Sequence, residues 1–295
     1  MPDKLLRAVV AQAMSREMWP LVLGNPRLIV NMSTRLRFLR KHGNVVYNPL
    51  VKRNMGVRFE FDFNLDPMVW AMYAGTYEMP VVEIMRSTLK QGDKFIDVGA
   101  NIGYLSALAA GFVGRYGEVH SFEPVPEYFE RLRSLAEMNS DFKIVANQAA
   151  LGDEPGQAEI DVGVQGNIGM STMVPHFMPL ENCKASINVP VLRLDQYIKG
   201  RSLGRIALIK IDTEGFESHV LRGLEGYFRE ASDLPPIICE IMPRAYPLLD
   251  HSVEELVYFM KANGYAALDL VNKKRVDVTR LKEVTNVFFK PQDTK

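Results

Sequence analysis

The stretch 209–220, IKIDTEGFESHV, alternates apolar Ile209 and Ile211 with Lys210, Asp212 and Glu214. Side chains at i, i+2 and i+4 of a strand share one face, so a cation and two acids line up on a strand whose apolar residues mark it as buried. Strands lying between two helical layers are normally apolar on both faces. Carboxylates placed there must do work, as proton acceptors or as ligands of a divalent cation. Glu240 ends a second apolar run, PIICEI. If the two strands are neighbours, Asp212 and Glu240 flank one crevice, either as bases or as metal ligands. Lys210, buried, must be paired or neutral, and Asp97, Asp195 and Glu240 are its expected partners.

Two further strand ends carry chemistry. In FIDVGANIGY (95–104), Asp97 is followed by Gly99, Ala100, Asn101, Gly103 and Tyr104. The glycines permit a tight turn and close backbone approach to a ligand, and Asp97 can accept from an amine or from loop amides. The dinucleotide pattern G-x-G-x-x-G is absent, so this turn suits a ligand with an ammonium group and no pyrophosphate. Glu123 in SFEPVP lies twenty residues past Gly103 and precedes Pro124. An acid there can take both hydroxyls of a ribose.

These ends need a scaffold. From about residue 80, apolar runs (KFIDVGA, EVHSFEP, FKIVANQAAL, IALIKID, PIICEIM) alternate with helical patterns (YLSALAAGFV, PEYFERLRSLAEMN, ESHVLRGLEGYF, VEELVYFMKANG). That rhythm predicts an α/β fold with a mostly parallel sheet covered on both faces. YAALDLV and TNVFFK, with no helix between them, predict an antiparallel closing hairpin. Residues 152–190 interrupt the rhythm and read as an insertion. We therefore expect an accessory segment over 1–79, with basic helices (3–18, part of 26–41) and a strand in RFEFDFNL (58–65), followed by a main domain over 80–295.

Net charge is zero, but residues 1–60 hold 11 Lys and Arg against 3 Asp and Glu. Such a segment is a solvated helix face docked on the acidic remainder, or a peripheral membrane contact. Aromatic residues are not interleaved with these cations, so nucleic acid is not an expected partner. Two cysteines, Cys183 and Cys239, exclude a disulfide framework. No apolar run reaches membrane-spanning length and no secretory signal is evident, which makes the cytoplasm the expected location. His120, His219 and His251 are expected to be satisfied locally, leaving His176 as an acceptor-side candidate. A homo-oligomer is compatible with all of this.

With these residues assembled, the chain resembles the FkbM family of S-adenosylmethionine-dependent methyltransferases from about Asp66 to Phe288. The carriers are GTYE (75–78), FIDVGANIGY, Glu123–Pro124, AALGD (149–153), GMST (169–172), LRLDQYI (192–198), IKIDTEGFE, Glu240 and NVFF (286–289). The resemblance implies a Rossmann-like class I methyltransferase fold, with seven strands, mostly parallel, and an antiparallel C-terminal strand. It implies S-adenosylmethionine as cofactor, with Asp97, Gly99, Ala100, Asn101, Gly103 and Tyr104 at its methionine end. Glu123 and Pro124 would lie at the ribose, Ala150 and Leu151 at the adenine, and Tyr77 and Glu78 would close over it. Related enzymes methylate hydroxyls on sugars, glycans or polyketides, so a small-molecule or glycan acceptor is implied. An alkyl hydroxyl holds its proton about as tightly as water, pKa about 16, so a base or metal must help. Asp212 is the first choice of base, with Glu214 and Glu240 as second base or metal ligand. A nicotinamide-dependent oxidoreductase and a non-catalytic cofactor-binding or membrane-docking module are the rival classes. The first needs a pyrophosphate loop that FIDVGANIGY does not supply, and the second has no need of acids at three strand ends.

Overall fold

The computed structural model describes residues 45–47, 56–164 and 166–292. The helices expected over 3–18 and 26–41 lie outside them. The described elements in chain order are β1 (Val45–Tyr47), β2 (Phe59–Phe61), α1 (Met68–Ala74), α2 (Met79–Thr88), β3 (Lys94–Val98), α3 (Tyr104–Val113), β4 (Glu118–Phe122), α4 (Pro126–Met138), β5 (Lys143–Asn147), β6 (Ala150–Leu151), β7 (Gly156–Gly163), β8 (Cys183–Leu192), α5 (Leu194–Gly200), β9 (Leu208–Ile211), α6 (Glu217–Arg222), α7 (Glu225–Glu230), β10 (Ile237–Ile241), α8 (Val253–Ala262), β11 (Tyr265–Asp269) and β12 (Thr285–Pro291).

Seven of the strands form one sheet in the order β11-β12-β10-β9-β3-β4-β5. β5, β4, β3, β9 and β10 run parallel, and β12 is antiparallel to both of its neighbours. The class I methyltransferase sheet and its closing hairpin are thus as expected. The chain winds outward from β3 through β4 to β5, then returns to β9 on the other side of β3. That reversal opens a crevice at the carboxyl ends of β3 and β9, the place where open α/β sheets bind ligands.

Period-2 alternation divides the core in two. Phe95, Val119, Leu208, Ile238 and Phe288 join α2, α3 and α4 in one apolar cluster. Ile96, Phe122, Ile209, Ile211, Ile237 and Cys239 join α5, α6, α7 and α8 in the other. Each large apolar side chain withdrawn from water contributes roughly 1.5–3 kcal/mol. Of the buried polar residues on these strands, Asp97, Ser121 and Lys210 fall on the first face and His120 on the second, against Tyr197 of α5. Asp97 lies in register with Ser121 on one side and Lys210 on the other.

Local details depart from expectation. RFEFDFNL is extended only over β2, because Asp62 turns the chain: its carbonyl accepts from Leu65 N–H and its carboxylate from Asn64 N–H. ESHVLRGLEGYF is two short helices and not one. The break at Gly223 lets the chain press against the Gly152 carbonyl, where a Cβ would collide. The insertion folds as a small three-stranded sheet, β6-β8-β7. No change in packing marks residue 79: Phe59, Phe61, Val69 and Met72 belong to the same apolar cluster as α2 and α3. Tyr104 donates to the Met72 carbonyl at 3.1 Å, and Arg131 pairs with Asp62 at 2.9 Å. No described helix is long and apolar enough to cross a membrane.

Candidate active site

A cavity opens at the carboxyl ends of β3, β4, β9 and β10. It gathers Tyr77, Glu78, Asp97, Gly99, Ala100, Asn101, Tyr104, Glu123, Pro124, Ala150, Leu151, Asp212, Glu214 and Glu240. Gly103 is not in its wall. With φ of 85°, it starts α3 and leaves room for Leu132 and Leu135 of α4, which a Cβ would strike. Its glycine requirement comes first from that left-handed φ and second from the close approach of α4.

The β3–β4 side is tightly organised. Gly99 has a φ of 76°, and a Cβ there would overlap the Asp212 carbonyl oxygen. The glycine turn and the Asp212 loop are therefore in direct backbone contact. Asn101 takes a left-handed φ of 51°; its N–H donates to Glu123 Oε2 at 2.8 Å, and its Nδ2 donates to the Ile168 carbonyl at 2.8 Å. The other Glu123 oxygen accepts from Val125 N–H at 2.9 Å. Glu123 thus ties the turn after β3 to the turn after β4. Burial pushes its carboxyl up to about 7, against the pull of those two amides. Asp97 is completely buried, one oxygen taking the Ser106 hydroxyl and the other having no partner. Burial raises it, and the nearby Lys210 ammonium offsets part of the rise.

On the β9–β10 side the carboxylates crowd together. Ligand oxygens of Asp212, Glu214 and Glu240 all lie within 4.8 Å of one another, because β9 and β10 are parallel neighbours. Lys210 Nζ pairs with Asp212 Oδ2 at 2.9 Å, and Lys210 is only 4% exposed. Of its expected partners Asp97 lies in register beside it and stabilises its charge, but the direct ion pair is with Asp212. Two residues apart on one strand face, Lys210 and Asp212 reach each other directly, while Asp195 is engaged by Arg193 at 2.6 Å. Burial lowers Lys210, but Asp212, Asp97 and Glu78 together outweigh it and raise the ammonium above its ordinary value. Glu214 is pushed well up by burial and then by Asp212 and Glu217; Glu240 is pushed well up by burial and then by Asp212 and Glu214. One oxygen each of Glu240 and Glu78 is buried without a partner. Glu78 has a left-handed φ of 45° at the start of α2, and burial raises its carboxyl to about 7. Tyr77, beside it, is raised first by burial and then by Glu78.

The insertion and the segment before α2 close the cavity, with Met68, Met72, Ile160, Ile168 and Met173 in its wall. The sequence reading missed these: Met68 and Met72 lie on the short helix α1, Ile160 on β7, and Ile168 and Met173 on irregular chain, and nothing local shows that these pieces meet over the sheet edge. Asp66 anchors them, accepting from Met68 N–H at 2.7 Å and Ile168 N–H at 3.0 Å. His120 meets the Tyr197 hydroxyl at 2.9 Å, His219 pairs with Asp153 at 2.9 Å, and His251 with Glu255 at 3.4 Å. His176 is exposed and does not line the cavity.

A doubly wound sheet with this strand order, a glycine turn after its first parallel strand and an acid after the next defines the class I methyltransferases. The model of the methyltransferase FkbM domain matches residues 97–267, and the chain belongs to that family of S-adenosylmethionine-dependent enzymes. Two curated relatives align over most of their own length. The 31-O-demethyl-FK506 methyltransferase FkbM of Streptomyces tacrolimicus is 27% identical over 61% of this chain and 75% of its own. The hexuronic acid methyltransferase AglP of Haloferax volcanii is 20% identical over 66% of this chain and 77% of its own. Among solved structures, a methyltransferase FkbM from Methylobacillus flagellatus KT is 16% identical, with a TM-score of 0.41. The alignment covers 76% of this chain and 54% of that one.

Proposed function

We propose that the protein transfers a methyl group to a hydroxyl on a sugar, glycan or polyketide-like acceptor. The observation that carries this reading is the convergence of Asp212, Glu214 and Glu240 in the same cavity as the glycine turn. The names of the two relatives, one a 31-O-demethyl-FK506 methyltransferase and the other a hexuronic acid methyltransferase, support it.

The donor set suits S-adenosylmethionine. The buried Asp97 oxygen without a partner is free to accept a hydrogen bond, and Gly99, Ala100 and Asn101 line the same cavity. In this reading Asp97, Gly99, Ala100, Asn101 and Tyr104 hold the methionine end, Glu123 and Pro124 the ribose, and Ala150 and Leu151 the adenine. Tyr77 and Glu78 cover the cofactor. When bound, the cofactor supplies an electrophilic methyl on a sulfonium. The chain's own residues then do two things. The apolar wall excludes water and orients the acceptor, and positioning of this kind lowers barriers by up to roughly 7–11 kcal/mol. Asp212 takes the hydroxyl proton at Oδ1 or Oδ2, with the Lys210 ammonium beside it and Glu214 and Glu240 accepting from neighbouring hydroxyls of the acceptor.

A divalent cation on Asp212, Glu214 and Glu240 is the second reading, favoured by the spacing of their oxygens. The test is transfer of labelled methyl from S-adenosylmethionine to methyl hexosides, hexuronosides and macrolide alcohols, with and without EDTA. Label stable to alkali and located on oxygen by mass spectrometry supports the proposal. Label found only on nitrogen or carbon overturns it, and loss with EDTA restored by Mg²⁺ selects the metal reading.

A further inference from the structure

Glu217 has no part in the chemistry described so far, yet it is completely buried at the first turn of α6. Its Oε1 accepts three hydrogen bonds, from Thr213 N–H at 3.0 Å, Thr213 Oγ1 at 3.1 Å and Gly215 N–H at 2.9 Å. All three donors belong to the loop that carries Asp212 and Glu214. That loop is strained at Glu214, whose φ is 53°, and turns on through Gly215 at 106°. Non-glycine residues in the left-handed region carry strain and persist only when their surroundings over-determine them. Gly215 has no space to relax, since a Cβ there would strike Ala245 and Val174. From the far side, Thr172 Oγ1 donates to the Glu214 carbonyl at 2.6 Å. The loop is thus gripped at three consecutive residues by groups that do not line the cavity.

We infer that Glu217 is a positioning residue, which gathers the Thr213 and Gly215 amides so that Asp212 and Glu214 face the acceptor. This rests on the reading that these acids form the acceptor side of the site. The other Glu217 oxygen is buried without a partner, so the three bonds are made through one atom. A glutamine keeps that acceptor and fills the same space, whereas an alanine removes it. Mere support of the fold would make no such distinction between local and global effects.

The experiment compares wild type, E217Q and E217A by peptide-resolved hydrogen exchange of the full chain with S-adenosylhomocysteine present, alongside calorimetry of that ligand. We expect E217A to speed exchange in 209–220 at least tenfold, leaving the peptide holding Asn101 and Glu123 protected and the ligand Kd within threefold. E217Q should match wild type. With any acceptor that the methyl-transfer panel identifies, kcat for E217A should fall about 100-fold at unchanged KM for S-adenosylmethionine, the size expected of a displacement near 1 Å. The inference is overturned if 213–215 stay protected in E217A, if E217Q loosens the loop equally, or if protection is lost throughout the protein. Because exchange is read without an acceptor, failure to find an oxygen methylated leaves this outcome separately decidable.

Discussion

The two sides of the cavity spend their carboxylates differently. After β3 and β4, Glu123 has both oxygens on backbone N–H groups and pins two turns together. After β9 and β10, Glu240 keeps a buried oxygen with no donor, and three acids share one neighbourhood with a single ammonium. Buried polar atoms are nearly always paired, so the lone Glu240 oxygen, like that of Asp97 across the cavity, marks a place that awaits a donor. The paired side holds its shape in advance, which suits a cofactor of constant structure. Glu217 repeats the Glu123 device behind the crowded side, fixing the backbone so that the acids in front of it can stay unsatisfied.

Four substitutions or conditions test that contrast. The largest effect should come from D212N, which keeps the shape but removes the proton acceptor. Methyl transfer should fall roughly 10²- to 10⁴-fold, while calorimetric affinity for S-adenosylhomocysteine stays within threefold. Full activity of D212N would remove Asp212 from the chemistry. Next, K210M strips the crowded acids of their cation. Removing one partner of a buried pair costs about 3–5 kcal/mol, to be read as a lowered denaturation midpoint; an unchanged midpoint would mean that the acids do not need Lys210. E123Q sets an NH₂ group against one of the two amides it now accepts. Affinity for the cofactor product should drop about ten- to a hundredfold, on the scale of roughly 1.5–3 kcal/mol for a bond to a charged group. An equal loss of affinity in D212N would erase the division between the two sides.

The smallest effect is on pH dependence. Glu123 and Glu217 are both raised by burial to about 7, so each ionises less readily folded than unfolded. Their stabilising contribution is complete below the unfolded value near 4.5 and is lost as pH rises through about 7. The ligand-free protein should therefore melt several degrees lower at pH 8 than at pH 5.5, with a shallower slope in E217Q. A flat profile in wild type would show that both carboxylates are already ionised at the lower pH.

Much of this was legible in the residues. Strands such as FIDVGA and IALIKID announce themselves by apolar runs ending in acids, because a parallel strand buried on both faces leaves only its carboxyl end for polar groups. The glycine turn was equally plain, though Gly103 serves the packing of α4 and does not line the cavity. What stayed hidden were pairings decided by strand geometry. Lys210 was assigned to Asp97, Asp195 or Glu240, while the nearest acid on its own strand face, Asp212, holds it at 2.9 Å. Glu217 carries no signal of its own, since nothing in FES shows that three donors of the preceding loop fold back onto it. Methionines and isoleucines of the cavity wall come from α1 and from the insertion, whose position over the sheet edge no local pattern announces.

The sequence by itself determined the alternation of strands and helices, the acids at the strand ends and the family motifs in their order, because these depend on local pattern. Only the tertiary structure decided that β9 lies beside both β3 and β10. Hydrogen bonding between segments distant in the chain is settled by the packing of whole layers. That adjacency brings Asp97, Lys210, Asp212 and Glu240 to one edge, and it turns separate acids into a single site.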